Sequence, residues 1–424
     1  MQGEDFFLHD WQEKRCQMRS MHFCHGVESW TNKTQQGHSM EKLLMIAMVA
    51  TLPLSSWALF HSWATKTETK TIDGVEYFFI VGGDHYKGDA ILENDGDVAV
   101  NISDDRSSLT LPDSLAGHQL SVISDHACAN LIDVEMIKLP LKLIYIGQRA
   151  FEGCASLKSL TIPPTVKEIH NEAFKDCEKL STVNLPRGVK LDSRVFSGCT
   201  GLEQIDISEA KVWKTIGGMF SGCASLRSVK LPQNIRSISG TFDGCKKLSD
   251  IVIPNEVEEI GSYSFRGCSS LVSLVLPETV TKIEYGAFHG CSSLKRIKIP
   301  YRVDCIETGT FAGCMKLEAI EISENITSIG CHAFEGCASL KSVVIPDGVA
   351  EILSFAFRDC TSLEEIAIPS SVKTISREAF WGCKNIKKVK APKVLEAQVM
   401  KLEVSKAPEI DVKDLSGIKI EFVD

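Results

Sequence analysis

The chain has 424 residues, 44 % of them hydrophobic, and a formal net charge of −9. That composition suffices for a core of globular size, and the mild acidity argues against nucleic acid as a partner, because a nucleic-acid footprint needs a basic face. Residues 1–39 share nothing with the rest of the chain. They hold Cys16, His22, Cys24 and His25, side chains that can ligate a metal, but the segment is better read as an upstream extension or a disordered tail, because Met40 opens a pattern of its own. Met40-Glu-Lys42 leads into the apolar run Leu43–Leu54 and then Ser56-Trp57-Ala58. A basic start, a short apolar run and a small-x-small exit describe a secretory signal peptide over residues 40–64, cleaved near Ala58 or Ala64. Pro53 breaks the run, which ends near Phe60 and is marginal for a transmembrane helix. An uncleaved signal anchor is thus the one route to a membrane that the sequence suggests. No cysteine lies closely downstream, which argues against a bacterial lipoprotein.

Residues 65–108 read as a small β unit that caps the next region. Ile72–Ile80 has the look of a strand after a turn, and Gly82-Gly83-Asp84 and Asp95-Gly96 are turn punctuation. The run Gly83–Gly88 has the outline of a phosphate loop, but Asp89 stands where lysine is required.

Residues 109–392 are repetitive. Two degenerate copies come first, with strands at Leu109–Leu111 and Ile137–Leu139, and with Cys128 in the phenylalanine slot and Leu131 in the cysteine slot. Then Phe-x-x-Cys recurs eleven times. The phenylalanines are Phe151, Phe174, Phe196, Phe220, Phe242, Phe265, Phe288, Phe311, Phe334, Phe357 and Phe380. The cysteines are Cys154, Cys177, Cys199, Cys223, Cys245, Cys268, Cys291, Cys314, Cys337, Cys360 and Cys383, spaced by 23, 22, 24, 22 and then six times 23 residues. A period this regular means a repeat architecture. The full unit is Phe-x-x-Cys-x-x-Leu-x-x-[Val/Ile/Leu]-x-[Ile/Leu]-Pro, then Val/Ile, then Ile, then Ala-Phe. The segment before proline alternates apolar and variable residues, the period of a strand, and proline closes it because it has no N–H for a ladder. One unit cannot bury its Phe, Leu and Ile, but stacked copies can, with parallel strands about 4.8 Å apart. The predicted fold is an α/β repeat: a right-handed solenoid of about thirteen strands, roughly 60 Å long. Parallel strands line its concave face, and short helical, 3₁₀ or irregular segments form the convex face. Val394–Asp424 loses the template and reads as a C-terminal cap over residues 393–424, with a last strand at Ile418–Phe422. No LPxTG-type wall-sorting motif and no long apolar tail mark a surface anchor.

The unit resembles the short, Phe- and Cys-containing class of leucine-rich repeat found in BspA-like bacterial surface proteins. The resemblance covers about residues 109–392. It departs from common leucine-rich repeats where those carry an Asn ladder, since that position holds Thr165, Gly188, Glu256, Thr279, Arg302 and Ser371. The resemblance implies a leucine-rich-repeat solenoid, export, and adhesion to host or neighbouring-cell macromolecules through a protein or glycoprotein ligand.

Sixteen cysteines in an exported chain invite a disulfide reading. Free buried thiols are the stronger one. The repeat cysteines sit where other repeats place leucine, cysteine buries as a small hydrophobe, and bridging parallel neighbours would disturb the core. A ladder of equivalent thiols also does not converge tetrahedrally on a metal. Cys305 and Cys331 lie off the ladder. No Gly-x-Ser-x-Gly, His-Glu-x-x-His or dinucleotide fingerprint is present, and the neighbours Cys331 and His332 read as loop residues. Neither catalysis nor a cofactor is expected.

Partner contacts are expected on the outward strand positions. Val252, Val272 and Val275 are apolar where the template asks for nothing, and they adjoin Lys295, Arg296, Lys298, Tyr301 and Arg302. An apolar centre rimmed by Arg and Tyr suits a protein partner; β-propensity filling without a partner is the bland alternative. Lys384, Lys387, Lys388, Lys390 and Lys393 form a second patch, read as charge that protects a final strand from pairing. An envelope glycan-binding role is the alternative function.

Overall fold

The computed structural model describes residues 67–81, 88–93, 98–102, 104–399, 402 and 419–423. The readings for residues 1–39, for the signal peptide, for the loop from Gly83 to Lys87 and for the turns at Gly82–Asp84 and Asp95–Gly96 fall outside the described residues.

The first described elements form a hairpin. Glu68–Ile72 pairs antiparallel with Val75–Val81, turning at Asp73-Gly74, both at positive φ. Asp-Gly is the natural occupant of such a turn, so the strand expected over Ile72–Ile80 is divided at this dipeptide. Val75–Val81 also pairs Ala90–Leu92 and Val100–Ile102. Ala90–Leu92 then runs parallel to His118–Ile123 and joins the β unit to the repeats. Tyr77 and Phe79 are buried beneath it.

Each repeat contributes to two parallel ladders. The first holds the strands before proline: Ser108–Thr110, Met136–Lys138, Ser159–Thr161 and Thr182–Asn184 lie side by side, and later coils continue the pattern to Lys388–Pro392. Its middle residues point inward and the flanking ones outward, as a period of two requires. The coil of Leu274 departs from the template. It makes only a bridge, Ser273 to Arg296, instead of a strand.

The second ladder lies on the return path, where helical or 3₁₀ turns were expected. Two- and three-residue strands such as Glu168–Ile169, Lys190–Leu191, Glu259–Ile260 and Ser328–Ile329 pair with their counterparts one coil away. The Phe-x-x-Cys corners are not helical either. Their N–H groups reach the next coil, as in Phe288 N–H to Thr310 O at 2.9 Å and Gly290 N–H to Ala312 O at 2.6 Å. Donors spent between coils are not available for i−4 carbonyls within a coil. Among the described residues, helix is confined to Lys393–Leu395 (3₁₀) and Glu396–Val399 (α).

The core follows the sequence period. The eleven phenylalanines are buried and stack ring on ring, with centroids 5.1–6.0 Å apart and interplanar angles of 20° or less, the offset geometry aromatic rings prefer. The ladder cysteines are free and buried. Each thiol donates to the carbonyl of the phenylalanine slot one coil back: Cys177 to Phe151 O at 3.2 Å, Cys291 to Phe265 O at 3.1 Å, Cys383 to Phe357 O at 2.9 Å. Cys154 donates to Cys128 O, which places Cys128 in the phenylalanine slot of the first coil. The residue before each ladder cysteine has positive φ. It is glycine in most coils and Asp176 or Asp359 in two, residues that tolerate the left-handed region.

The C-terminal segment Lys419–Val423 pairs parallel with Lys388–Pro392. Lys388–Pro392 is therefore not a bare edge, and protection of a final strand does not explain Lys384, Lys387, Lys388, Lys390 and Lys393. Two of these lysines have specific partners: Lys387 pairs with Glu364 at 3.0 Å, and Lys388 with Glu421 at 3.1 Å.

Candidate functional site

The outward residues of the first ladder converge where the sequence places them. Val252 and Val275 occupy the same position of successive coils and are 77 % and 85 % exposed. Val272 is half exposed, and Lys295, Arg296, Lys298, Tyr301 and Arg302 are all exposed. Ser273 aligns with Arg296, so Lys298 lies in line with Val275 one coil on. Tyr301 is pinned through its backbone: its carbonyl accepts from Asn325 Nδ2 at 2.7 Å and Ser323 Oγ at 3.3 Å.

The cations of this surface are not equivalent. Lys298 Nζ is held by Glu278 Oε1 at 2.8 Å. That hydrogen bond raises the lysine pKa and lowers that of Glu278. Glu321 sits opposite Lys298 in the ladder. Arg296 has no ion pair among the described residues. Of the two charges nearest the valines, Arg296 is therefore the one free to meet a partner, a distinction the sequence did not carry because Glu278 lies twenty residues away. Val344, 81 % exposed, is a further apolar residue on the same ladder.

No convergent catalytic cluster accompanies this face among the described residues. His332 Nδ1 bonds Glu335 at 2.7 Å and its ring lies on Phe355, which ties the imidazole to groups other than neighbouring Cys331. Cys305 Sγ donates to Glu307 Oε1 at 3.2 Å, and burial, helped by Glu307 and Asp304, pushes its thiol up to about 12, which disfavours the nucleophilic thiolate. His170 Nδ1 meets Asp192 at 2.9 Å, but its other nitrogen faces Glu168 at 3.4 Å. No group of three metal-ligating side chains occurs among the described residues, and no helix there is long and apolar enough to cross a membrane. The position of the missing Asn ladder still carries bonds between coils: Thr165 and Ser371 donate to Leu141 O and Val349 O, and Thr279 to Asn255 O.

Comparison with known proteins agrees with this architecture. A leucine-rich repeat protein from Bacteroides ovatus is 25 % identical with a TM-score of 0.60, covering 84 % of this chain and all of the other. A leucine rich cell surface protein from Faecalibacterium prausnitzii is 27 % identical with a TM-score of 0.55, covering 81 % of this chain and 99 % of the other. The pneumococcal vaccine antigen PcpA, 18 % identical, shares the fold with a TM-score of 0.57, covering 84 % of this chain and 99 % of its own. A search of curated proteins gives no match. The family model of the BspA type leucine rich repeat region matches in six copies, over residues 121–241, 239–352 and 305–398. With its ladders, its stacked phenylalanines and a match running through most of the repeat region, the chain belongs to the BspA-type leucine-rich-repeat family.

Proposed function

We propose that this chain is a secreted or surface-displayed binding protein that adheres to a host or neighbouring-cell protein without catalysing a reaction. The observation that carries the reading is the pair Val252 and Val275, exposed on successive coils beside Arg296, which no acidic side chain among the described residues holds. Apolar side chains left in water at the centre of a sheet face, with Arg and Tyr at the rim, suit a partner that excludes that water. Lys298 acts differently: its pairing with Glu278 must be broken or shared before it contacts a ligand. The likeness to a cell surface protein supports display outside the cell, as does the basic-apolar-small pattern of residues 40–64. The glycan alternative finds a single aromatic, Tyr301, at the rim of this face, so the protein reading is preferred.

The test is surface plasmon resonance of the purified protein against collagen, fibronectin and laminin. Saturable binding to at least one, weakened tenfold or more in the double variant Val275→Asp/Arg296→Glu, is the expected result. An unchanged Kd in that variant overturns the site.

A further inference from the structure

A different face of the molecule carries a second feature. A groove of about 850 Å³ crosses the coils beside the second ladder near its N-terminal end. Lys142, Lys167, Arg187, Lys190 and Lys211 line it. The ladder sets their order, since Lys190 aligns with Lys211 and the Lys190 N–H bonds Lys167 O. Two carboxylates offset them: Glu168 pairs with Lys190, and Glu209 with Arg187, each at 3.3 Å. Lys142, Lys167 and Lys211 are exposed and carry no ion pair among the described residues. Five cations face these two carboxylates and, at the end of the groove, Asp192, a local surplus of two positive charges on a chain whose net charge is −9.

The end of this groove is irregular. The spacing from Cys199 to Cys223 is 24 residues, the longest of the series. That coil holds two short strands: Lys211–Val212 continues the ladder behind it, and Thr215–Gly217 starts the ladder ahead. Trp213 falls between them and is 62 % exposed. It is nevertheless held in place. Its indole N–H donates to Asp192 Oδ1 at 3.0 Å, Asp192 is held in turn by buried His170, and Lys190 Nζ stands 5.3 Å from the ring. The site thus combines a row of exposed lysines with a fixed, open aromatic face.

We infer that this groove binds an anionic polysaccharide, with the lysines on its carboxylates or sulfates and Trp213 stacked on the C–H face of a sugar ring. Lysine heads on flexible stems follow irregularly spaced anions better than a rigid fork would. A large apolar ring exposed beside charge suits a ligand that is itself apolar on one face and charged at its edges. The coil repeat of about 4.8 Å spreads the cations along the groove, which favours an extended polymer over a single small anion.

The test uses biolayer interferometry with the purified protein and three immobilised probes: chondroitin sulfate, polygalacturonate and neutral dextran. Saturable retention on at least one acidic polymer, absent on dextran and weakened about tenfold between 50 and 300 mM NaCl, is expected from charge screening. Retention on chondroitin sulfate alone assigns sulfate as the recognised group; retention on polygalacturonate assigns carboxylate. Lys167→Glu/Lys211→Glu, both exposed and outside any ion pair among the described residues, is expected to weaken retention at least tenfold with an unchanged urea midpoint. Trp213→Ala is expected to weaken it about fivefold while the salt dependence persists. Failure of both acidic polymers to bind at 50 mM NaCl, or full retention by the double lysine variant, overturns the site. Undiminished retention by Trp213→Ala overturns the sugar assignment. Arg296→Glu, on the other face, leaves all three signals unchanged if the two surfaces are independent.

Discussion

Replacing Phe288 by alanine removes a ring from the middle of the aromatic stack. Phe288 is fully buried and lies between Phe265 and Phe311, each with a centroid 5.4 Å away and within 4° of parallel. Burial of a phenylalanine side chain contributes about 1.5–3 kcal/mol, and each offset ring pair adds about 0.5–1.5 kcal/mol. With two pairs lost, the expected cost is about 3–5 kcal/mol, the range seen when a core Phe becomes Ala. Phe380 closes the stack and has one ring neighbour among the described residues, Phe357, at 5.3 Å. Phe380→Ala therefore costs about 0.5–1.5 kcal/mol less than Phe288→Ala. Urea titration gives the global values. Native-state hydrogen exchange locates the loss, which is needed because nearest-neighbour arrays depart from two-state unfolding. Phe288→Ala should raise exchange in its own and the two adjoining coils first. A cost below about 1 kcal/mol at Phe288, or a larger cost at Phe380, would refute the reasoning that each ring is held both by burial and by its stacked neighbours.

The same geometry carries further expectations. Burial pushes the Cys314 thiol up to about 12 from an ordinary 9.0, so its thiolate at pH 8 is about a thousandfold scarcer and alkylation correspondingly slower; mass spectrometry after brief iodoacetamide treatment should find partly exposed Cys331 modified before any ladder cysteine. Gly313 has φ +74 and packs on Gly290, so Gly313→Ala should lower stability by about 1–2 kcal/mol through left-handed strain, whereas the same change at Gly348, which has no positive φ, would act through its close backbone contacts instead. Hydrogen bonds from Lys419 and Lys388 hold Glu421 down to about 2; because a depressed carboxylate stabilises the fold above its unfolded pKa and loses that contribution as pH falls through the folded value, strand Lys419–Val423 should exchange hydrogen faster, relative to its intrinsic rate, as pH drops from about 4.5 towards 2. At neutral pH, Glu421→Gln should loosen the same strand.

Much of the fold was legible because the repeat states the same structural fact eleven times. Phe, Cys, Leu and Ile mark the inward positions, and the structure buries them. What the sequence concealed has physical reasons. The second ladder uses strands of two or three residues, too short to show a period, and its donors are satisfied by residues one coil away. A second left-handed corner, two residues before the phenylalanine, is glycine in four coils (Gly218, Gly240, Gly286 and Gly309) but carries Arg149, Glu172, Arg194, Tyr263, His332 and Phe355 in six others, at φ of 55–59°; none of these six advertises positive φ as glycine does. Cysteine reads as a small hydrophobe in sequence, and its role as a donor to the previous coil emerges only when coils are stacked. The exposed valines were visible as departures from the template. The last strand was legible at Ile418–Phe422, but its pairing with Lys388–Pro392, like that of Lys298 with Glu278, depends on contacts across coils or across the C-terminal segment, which no local pattern encodes. The lengthened coil was visible as a spacing of 24, but nothing in that number placed Trp213 beside a row of lysines.

The most direct measurement of the central claim is a hydrogen-exchange footprint of the protein with and without a saturating matrix protein selected by the resonance panel. Protection confined to peptides spanning Ile251–Ile253, Val272–Leu276 and Lys295–Arg302 is the predicted result. Protection of the Phe-x-x-Cys corners with none on those peptides would contradict the assignment of the first-ladder face as the binding surface.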